Sequence, residues 1–429
     1  MVQLESAKCS FLFCLGICIL ICSTIYLKAN ISNAPQASAS PNDFICQAPE
    51  EDCPILPSPT PGFRWERKDC TRLTSYVADP KANCNQLQSK LHFIMVPLSK
   101  EEEDFPLAFI ITIHKELETF LRLLRAIYAP QNVYCIHVDA KASEDYKASV
   151  RNLARCFPNV FLASVSERVT YAGFSRLKAD INCMEDLVRS PTNWKRVINL
   201  CGQDFPIQTN LELVRYMQES RWKDKNMTPG VKQPSYIQYR TQFQYKEVKD
   251  SHVAPVGKGH KKGPPPHNLT IYFGTAYYSL TRQFVQYALN SPVAKDLLSW
   301  SRDTFSPDEH YWVTLNHVPE APGSYPESGW EGNVRAIKWK EQEGISHQGC
   351  QGRYVRDICI YGTRDLPWVV EKYSMFANKF ETAGFPKALD CLELWHRHKL
   401  LQQSMVPIQP SWHLITEVLK GTPNSTAGG

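Results

Sequence analysis

The sequence lacks the short motifs that mark several large enzyme classes. It contains no G-x-x-x-x-G-K-[ST] phosphate loop, no G-x-G-x-x-G dinucleotide fingerprint and no G-x-S-x-G nucleophile elbow. It also contains no Asp-x-Asp, the pattern in which two nearby carboxylates hold Mg²⁺ or Mn²⁺ on a diphosphate. These absences argue against P-loop, dinucleotide-dependent and α/β-hydrolase chemistry, and against a metal held by Asp-x-Asp.

The chain also has no large excess of positive or of negative side chains. The 429 residues include 48 Lys and Arg against 43 Asp and Glu, a net charge of +5, with no long basic block. Nucleic acid is therefore not an expected partner. No Cys-x-x-Cys pair and no His cluster at ligand spacing accompany the 15 cysteines, so we expect no metal site.

One long apolar run is present, and it lies at the N-terminus. Residues 10–27 (SFLFCLGICILICSTIYL) carry no formal charge and are bounded by Lys8 and Lys28. As a helix they would span about 27 Å, which suits a thin bilayer. A cleaved signal peptide is the alternative, but its apolar region would be rather long and no clean A-x-A site follows. The pattern favours an N-terminal single transmembrane helix that acts as an uncleaved signal anchor.

The remainder of the chain has lumenal features. Eleven of the fifteen cysteines follow the apolar run, which suits an oxidising compartment. Four Asn-x-Ser/Thr sequons, candidate N-glycosylation sites, fit the same placement: Asn30, Asn226, Asn268 and Asn424. We therefore predict a cytoplasmic tail at 1–9, the span at 10–27, a stem region at 28–104, a catalytic domain at 105–400 and a C-terminal tail at 401–429.

From Phe105 onward, strand and helix patterns alternate. Apolar runs predict strands at Leu107 to His114, Val133 to Asp139, Val160 to Ala163 and Trp194 to Cys201. Helical spacing predicts helices at Glu116 to Tyr128, 143 to 155, Ser175 to Val188 and Asn210 to Gln218. This order predicts an α/β fold with a mostly parallel sheet and helices on both faces. Ligands in such folds bind at the carboxyl ends of the strands, where His114, Asp139 and the CGQD turn at 201–204 should lie.

The pattern breaks at residues 220–268, which are basic and rich in Gly and Pro and predict a long mobile loop. A strand or hairpin at Leu269 to Leu280 and a helix at Pro292 to Ser301 follow. Next comes DTFSPDEHYW, residues 303–312, where acids adjoin aromatic residues. These acids are compatible with a general base, a metal site or a helix start in which Ser306 and Asp308 cap the first turn.

Five segments in the same order carry a family resemblance: LLRAIYAPQNVYCIHVDAKA, RVTYAGFSRLKADINCMEDL, NLCGQDFPIQTN, DTFSPDEHYW and FANKF. Together they resemble the core 2 β-1,6-N-acetylglucosaminyltransferase family, glycosyltransferase family 14, from about Cys84 to Cys391. The resemblance implies a Golgi type II membrane enzyme with a GT-A-like, Rossmann-like nucleotide-sugar domain. Such enzymes move GlcNAc from UDP-GlcNAc, with inversion, to the 6-hydroxyl of GalNAc or galactose, and they need no metal or other cofactor. Expected partners are the UDP-sugar, a glycoprotein O-glycan, the Golgi membrane and a second copy in a homodimer.

The resemblance also implies residue roles. Glu309 matches the catalytic base, which takes the proton of the attacking sugar hydroxyl. Arg356 and Lys379 match the cations that grip the diphosphate in place of a metal, against the alternative of ordinary surface charge. The remaining matches to the nucleotide-sugar pocket are Thr112, Ile113, His114, Asp139, Ala140, Lys141 and Tyr171. For His114 a buried structural role is an open alternative.

Acceptor recognition is less determined. Trp339 matches a family tryptophan that can pack on a sugar face, and Glu341 replaces a tyrosine that can contact acceptor. Residues 220–262 depart from the family pattern, so no acceptor residue is carried over from them. Two alternatives therefore stay open: a related transferase with another UDP-sugar donor or acceptor, and a catalytically weak lumenal glycan-binding homologue.

The family pattern further implies a set of disulfides. The implied pairs are Cys46–Cys391, Cys84–Cys156, Cys135–Cys183 and Cys350–Cys359, with Cys201 free near the site. Cys53–Cys70 is a plausible extra pair, which would use all the lumenal cysteines.

Overall fold

A computed structural model of the chain describes residues 53–56, 73–248 and 252–407, and the backbone of Phe63–Trp65 and Leu414–Thr416. The predicted transmembrane span at 10–27 and the sequons at Asn30 and Asn424 lie outside these residues. Within the described part of the chain, no helix has the length and apolar character needed to cross a membrane.

The described residues form sixteen strands, most of them short. They are β1 (Phe63–Trp65), β2 (Leu107–Ile113), β3 (Val133–Val138), β4 (Val160–Leu162), β5 (Arg196–Cys201), β6 (Asp204–Pro206), β7 (Gly230–Lys232), β8 (Tyr245–Val248), β9 (His252–Pro255), β10 (Tyr272–Gly274), β11 (Ser279–Thr281), β12 (Arg335–Ala336), β13 (Arg353–Val355), β14 (Ile358–Ile360), β15 (Phe376–Asn378) and β16 (Leu414–Thr416).

Thirteen α-helices occur in the same described ranges. They are α1 (Ser75–Ala78), α2 (Cys84–Lys90), α3 (Lys100–Asp104), α4 (Leu117–Ile127), α5 (Glu144–Ala154), α6 (Phe174–Arg189), α7 (Asn210–Gln218), α8 (Tyr239–Gln242), α9 (Arg282–Asn290), α10 (Pro292–Trp300), α11 (Tyr311–Asn316), α12 (Leu366–Glu371) and α13 (Pro386–Gln403). A 3₁₀ turn at Pro307–Glu309 precedes α11.

The central sheet has the strand order β11-β5-β2-β3-β4. The pairs β2–β5, β2–β3 and β3–β4 are parallel, and β11 adds an antiparallel edge to β5. The prediction of a mixed α/β fold with a mostly parallel sheet is confirmed. The strands β2 and β3 are buried along nearly their whole length, as expected for parallel strands covered on both faces.

Both faces of the sheet are covered by helices, as predicted. Alternate side chains of β2 point to opposite faces, so Phe109 and Ile111 pack into one core with α4 and α5. Ala108 and Ile110 pack into a second core with α6, α9 and α10. The disulfide Cys135–Cys183 ties β3 to α6 across this second core.

A smaller sheet lies at the carboxyl ends of the central strands. Its order is β12-β15-β6, and Asn378 at the end of β15 pairs with Asp204 at the start of β6. Since β6 follows β5 after a two-residue turn, this pairing brings Lys379, the residue after β15, to the CGQD turn. The sheet therefore joins distant parts of the chain at the edge where ligands are expected.

Residues 73–104 of the predicted stem contribute to the core. Leu73, Val77, Leu87 and Leu91 are almost fully buried in the same cluster as β2 and α4. The disulfide Cys84–Cys156 links α2 to the segment after α5. This part of the chain is thus packed against the α/β body.

The disulfide prediction is confirmed at three pairs and wrong at Cys391. Cys84–Cys156, Cys135–Cys183 and Cys350–Cys359 are all formed. Cys391 on α13 bonds to Cys53, so the predicted pairs Cys46–Cys391 and Cys53–Cys70 are both wrong. Cys46 and Cys70 lie outside the described residues. Cys201 is free, as predicted.

The sequon at Asn226 is unsuitable for a glycan in this fold. Its side chain is fully buried and donates hydrogen bonds to Asn316 Oδ1 (3.1 Å) and Pro322 O (3.0 Å). Its Oδ1 accepts from the backbone N–H of Thr281 at 3.0 Å. A glycan there would require this buried network to open, so the prediction at Asn226 is wrong. Asn268 is exposed, and its glycosylation stays a prediction.

The described residues of the predicted loop at 220–268 include regular elements, and we call residues 233–248 and 252–262 the arm. The arm carries α8 and the antiparallel hairpin β8–β9. Glu247 of the hairpin accepts hydrogen bonds from the backbone N–H (2.7 Å) and hydroxyl (2.8 Å) of Ser175 at the start of α6. Lys262 pairs with Asp303 at the other end of the arm. The prediction of a loop without regular structure was wrong, because these contacts join residues far apart in sequence, whereas its mobility stays a prediction.

Candidate active site

Two neighbouring strands, β2 and β3, deliver predicted donor residues to one edge of the sheet. In the register of the central sheet, Thr112 stands between His137 of β3 and Cys201 of β5. The backbone N–H of Asp139, just after β3, donates to Ile113 O at 2.9 Å. Thr112, Ile113 and Asp139 therefore meet at the carboxyl ends of parallel strands, as expected.

The turn after β3 is internally bonded. Asp139 Oδ1 accepts from the backbone N–H of Lys141 at 2.8 Å, and the Lys141 ammonium lies 3.7 Å from Asp139 Oδ2. The Ala140 N–H donates to Glu167 O at 3.0 Å. Asp139 thus has a structural role in shaping this turn. In contrast, the Thr112 hydroxyl is buried without a hydrogen-bond partner among the described residues.

His114 follows β2 and is exposed, so the alternative of a buried structural histidine is wrong. Desolvation of the ring lowers its pKa, and the positive charges of Lys115, Lys141 and Arg356 lower it further, against the opposing effect of Asp139. The imidazole is therefore neutral near pH 7 and lies within a group of cations. Such a group favours an anionic ligand.

Arg356 is presented by the turn of the β13–β14 hairpin. Arg356 and Asp357 both have left-handed backbone angles, with φ of 50° and 62°, the geometry of a two-residue hairpin turn. The guanidinium carbon lies 4.4 Å from the ring centroid of Tyr171, which is 64% exposed. This cation–π contact joins two predicted donor residues from distant parts of the chain.

Lys379 follows β15 and is half-buried. Burial lowers its pKa, and the nearby cations Lys115 and Arg356 lower it further. Lys115 is neutralised by Glu381, with 3.1 Å between its ammonium and the carboxylate. Lys379 has no side-chain hydrogen bond or ion pair with any described residue. The carboxylate of Glu381 opposes this lowering of the Lys379 pKa, but it is itself paired with Lys115, so an anion bound beside Lys379 would add counter-charge.

Glu309 ends the 3₁₀ turn Pro307–Glu309, and its side chain is 29% exposed. One carboxylate oxygen pairs with the guanidinium of Arg240 in the arm. Burial raises the pKa of Glu309 to about 7, and the negative charge of Asp308 contributes to the rise, although Arg240 opposes it. A carboxylate with this pKa suits general-base work near neutral pH.

The turn that carries Glu309 is not built as predicted. Ser306 has a left-handed backbone with φ of 48°, and its side chain makes no capping hydrogen bond. Its N–H instead donates to Ala172 O at 2.8 Å, beside Tyr171. Asp308 is buried, and this burial raises its pKa against the opposing charge of Arg176. The interpretation as a helix start is confirmed for Pro307 at the first position and for the acids in the first turn, but it is wrong for a capping hydrogen bond from the Ser306 side chain. A backbone contact to the α6 region holds the turn instead.

A buried histidine connects the turn to the arm. The ring of His310 donates from Nδ1 to Ser306 O at 2.9 Å and accepts at Nε2 from Gln233 Nε2 at 3.0 Å. Burial lowers the pKa of His310 to about 4, so the ring is neutral and can accept at Nε2. Gln233 Oε1 accepts from the hydroxyl of Thr241 at 2.8 Å. His310 follows Glu309, and Thr241 follows Arg240. These hydrogen bonds therefore connect the residues next to each partner of the Glu309–Arg240 pair.

The chain was compared with known protein families. The family model described as "Branch: Core-2/I-Branching enzyme" matches residues 107–370, more than half of the chain and most of the α/β body. This chain belongs to the core-2/I-branching enzyme family. The matched range includes Glu309, Arg240 and Arg356, whereas Lys379 lies beyond it.

Curated members of the core-2/I-branching family resemble the chain along much of its length. The human probable β-1,3-galactosyl-O-glycosyl-glycoprotein β-1,6-N-acetylglucosaminyltransferase 7 is 50% identical over 422 residues, covering 96% of this chain and 97% of the relative. The pig protein of the same description is 46% identical over 97% of this chain and 98% of the relative. The human N-acetyllactosaminide β-1,6-N-acetylglucosaminyl-transferase is 53% identical, covering 78% of this chain and 82% of the relative.

For a core-2/I-branching enzyme, the residue that sequence reasoning missed is Arg240. It lies in the Gly- and Pro-rich segment that predicted a loop, and a lone arginine there reads as surface charge. In the structure its guanidinium lies over two aromatic rings, 5.3 Å from the centroid of Phe273 and 5.4 Å from that of Phe305. No periodic or motif signal points to Arg240, since its partners come from the fold alone.

The predicted acceptor residues of this family member lie beside the Arg356 turn. Trp339 forms a β-bridge with Ile358, and the N–H of Lys340 donates to Asp357 O at 2.8 Å. Glu341 follows and is exposed. Among the described residues, no hydrogen bond, ion pair or ring contact joins Trp339 or Glu341 to Glu309. Their acceptor role stays a prediction.

Proposed function

We propose that this protein is an inverting β-1,6-N-acetylglucosaminyltransferase. It transfers GlcNAc from UDP-GlcNAc to the 6-hydroxyl of GalNAc or galactose in a protein-linked glycan. The observation that carries the proposal is Glu309, a partly exposed carboxylate with a pKa of about 7, beside a group of cations at the strand ends. The printed names of the relatives, all β-1,6-N-acetylglucosaminyltransferases, support the donor sugar and the linkage.

The reaction is a single displacement at C1 of the donor sugar. Glu309 accepts the proton of the acceptor 6-hydroxyl while that oxygen forms its bond to C1. The bond from C1 to the diphosphate oxygen breaks on the opposite face, and UDP leaves with the electron pair. General-base help of this kind is worth about 10²–10⁴ in rate. A pKa near neutrality keeps a useful fraction of Glu309 ionised while leaving it basic enough to take the proton.

The leaving diphosphate is stabilised by protein cations. Lys379 forms no ion pair with a described residue, and Arg356 is held over Tyr171 at the same edge of the sheet. Fixed cations aimed at developing negative charge stabilise a transition state most when they are partly desolvated. In this proposal Lys379 and Arg356 act in place of a metal ion. The parallel strand ends that carry Thr112 and Asp139 serve as the nucleotide-sugar pocket of a GT-A-like domain.

The cellular placement belongs to the same proposal. Residues 10–27 anchor a type II protein in the Golgi membrane, with residues 28–429 in the lumen. The four disulfides support an oxidising compartment, because disulfides persist there and are rare in the cytosol.

Two acceptor classes are compared, because the relatives differ in their printed acceptors. One human relative is described as acting on β-1,3-galactosyl-O-glycosyl-glycoprotein and the other on N-acetyllactosaminide, at 50% and 53% identity. We take the O-glycan acceptor as the first candidate, because the relative that carries this description aligns along 96% of this chain and the other along 78%. An N-acetyllactosamine acceptor is the second candidate.

The test is a transfer assay with the full-length protein in detergent. UDP-GlcNAc is supplied with EDTA, and the acceptors are Galβ1-3GalNAc and N-acetyllactosamine glycosides, with product linkage determined by NMR. We expect a β-1,6 product without added metal. Transfer only after Mg²⁺ or Mn²⁺ is restored would contradict the role given to Lys379 and Arg356. Transfer from UDP-xylose in preference to UDP-GlcNAc, or no transfer to either acceptor, would overturn the proposed function.

A further inference from the structure

A tryptophan is exposed close to the catalytic pair. The side chain of Trp330 is 54% exposed, although tryptophan is the largest apolar side chain and is normally covered. Large exposed aromatic rings on a rigid surface are characteristic of binding sites, because they offer contact area with little loss of conformational freedom.

The backbone around Trp330 is held in place. The N–H of Gly230, at the start of β7, donates to Gly329 O at 2.9 Å. The carboxylate of Glu331 accepts from the Gly329 N–H, and its other oxygen accepts from Arg221 at 3.1 Å. The residues on both sides of Trp330 are thus fixed to the body of the protein, and the ring is presented from a defined position.

One aromatic ring connects Trp330 to the catalytic pair. The Trp330 ring meets Phe273 of β10 edge to face, with centroids 6.3 Å apart. Phe273 also supports the guanidinium of Arg240 at 5.3 Å, and Arg240 pairs with Glu309. Phe273 therefore separates the exposed tryptophan from the arginine that holds the base.

The position of Trp330 relative to the charged groups indicates which ligand it meets. The cations that suit a diphosphate lie on the Tyr171 side of Glu309, where Arg356 stacks on the Tyr171 ring. Trp330 lies on the side of Glu309 that is formed by β7, β10 and Arg240. On this side the charge of Arg240 is already neutralised by Glu309. A neutral ligand with an apolar face is the better match on this side.

We propose that Trp330 is a stacking platform for a sugar ring of the acceptor glycan, namely the ring next to the one whose hydroxyl reacts. The C–H face of a pyranose covers the exposed indole, while the reacting sugar lies at Glu309 and Arg240. This inference rests on the proposed function and deepens it. It makes Trp330 a residue that distinguishes a disaccharide acceptor from a monosaccharide.

The test compares acceptors of two lengths. The full-length enzyme is assayed with UDP-GlcNAc and either a disaccharide glycoside or the glycoside of its reacting sugar alone. For Trp330→Ala we expect the KM for the disaccharide to rise by roughly tenfold, the gain of one aromatic contact. The KM for the monosaccharide, the KM for UDP-GlcNAc and kcat should stay near their wild-type values. Trp330→Phe should retain most of the disaccharide preference.

Tyr373→Ala is the matched control, because Tyr373 is 83% exposed and makes no ring contact with a described residue. Its removal should leave both acceptors unaffected. If the wild type does not use the monosaccharide, binding of the disaccharide to Trp330→Ala and wild type is compared by saturation-transfer NMR. The same roughly tenfold loss is expected there.

The outcomes separate the two proposals. An unchanged disaccharide KM in Trp330→Ala, with normal transfer by the wild type, overturns the platform and leaves the proposed function intact. Equal losses on both acceptors, or a changed KM for UDP-GlcNAc, also overturn it, since they indicate a general structural role. Failure of the wild type to transfer to any acceptor overturns the proposed function itself.

Discussion

The residues on the two sides of Glu309 are brought together in different ways. On the donor side, Thr112, Ile113 and Asp139 sit at the ends of adjacent parallel strands, where each position follows from the strand before it. On the acceptor side, Arg240 reaches Glu309 from 69 residues away, and Gln233 reaches His310 from 77 residues away. Sheet order organises the first side, and side-chain contacts between distant segments organise the second.

The two sides also differ in how charge is balanced. Lys379 on the donor side forms no ion pair with a described residue, so a bound diphosphate would complete the electrostatics there. Arg240 on the acceptor side is already paired with Glu309. In the proposed reaction, this difference places the anionic diphosphate at the strand ends and the neutral acceptor sugar beside the arm. Each prediction below changes one side and asks whether the other is affected.

The largest effect is expected for Glu309→Gln, which removes the base shared by both sides. We expect kcat to fall by about 10²–10⁴, because the acceptor hydroxyl loses its proton acceptor. The KM for UDP-GlcNAc and the melting temperature should change little, since the amide keeps the size of the side chain. Steady-state kinetics and thermal denaturation measure both quantities. A variant as active as wild type would remove Glu309 from the mechanism.

Lys379→Ala should damage only the donor side. Loss of a fixed cation that faces the leaving group commonly costs about 10²–10³ in kcat. We also expect weaker binding of UDP by calorimetry, with an unchanged KM for the acceptor. Lys223→Ala, at an exposed lysine after α7, is the control and should have neither effect. Normal UDP binding by Lys379→Ala would contradict the diphosphate site.

His310→Phe tests whether the histidine positions the acceptor side. Removing a buried hydrogen-bonded group costs about 1–3 kcal/mol of stability. The matched control is His396→Phe, because His396 is equally buried and bonded to Gln208 O at 3.2 Å. Both variants should lose stability in urea denaturation, but only His310→Phe should lower kcat, since Ser306 and Gln233 lose their common partner. Equal kcat in the two variants would assign His310 a purely structural role.

The pH dependence tests the electrostatics of the base. Burial and Asp308 raise the pKa of Glu309 to about 7, and only the ionised form can accept a proton. In the wild type, kcat/KM should therefore fall as the pH is lowered through about 7. Asp308→Asn removes a like charge, so the pKa of Glu309 should drop and the loss of activity should move to lower pH. Arg240→Gln should move it to higher pH, and identical profiles in all three proteins would contradict this account.

The smallest effect is expected for Cys201→Ser. Burial raises the pKa of this free thiol to about 11, so it is not a reactive thiolate at neutral pH. It accepts a hydrogen bond from Asn378 Nδ2 at 3.2 Å, which a serine hydroxyl can replace. A near-isosteric change should alter the rate by less than about tenfold. A larger loss in steady-state activity would show that the thiol takes part in donor binding.

Patterns with a local cause were predictable from the sequence. Apolar runs and helical spacing predicted β2, β3, β5, α4 and α7 to within a few residues, because burial on both faces requires such runs. The family pattern gave the pairs Cys84–Cys156, Cys135–Cys183 and Cys350–Cys359, which are formed. Because these strands were predicted to be parallel, their carboxyl ends were also predicted to share one edge of the sheet.

The errors occurred where partners are distant in sequence. Cys391 bonds to Cys53 across 338 residues, and sequence alone offers no measure of which cysteine comes near. Asn226 carries a sequon, but its burial depends on Asn316 and Thr281, which belong to other elements. The sequence of the arm has no periodic apolar pattern. It is held instead by side-chain contacts of Glu247 with α6 and of Lys262 with Asp303.

The sequence by itself determined the α/β alternation, and its family resemblance named Glu309, Arg356 and Lys379 as candidate site residues. Those features depend on local apolar patterning and on short segments whose residue types are visible directly. The tertiary structure alone decided that Glu309 pairs with Arg240 and that His310 ties the base to the arm. It also decided that Trp330 is exposed and that the ring of Phe273 separates it from Arg240. These features arise because packing and desolvation depend on which distant side chains meet, and that information appears only when the chain is folded.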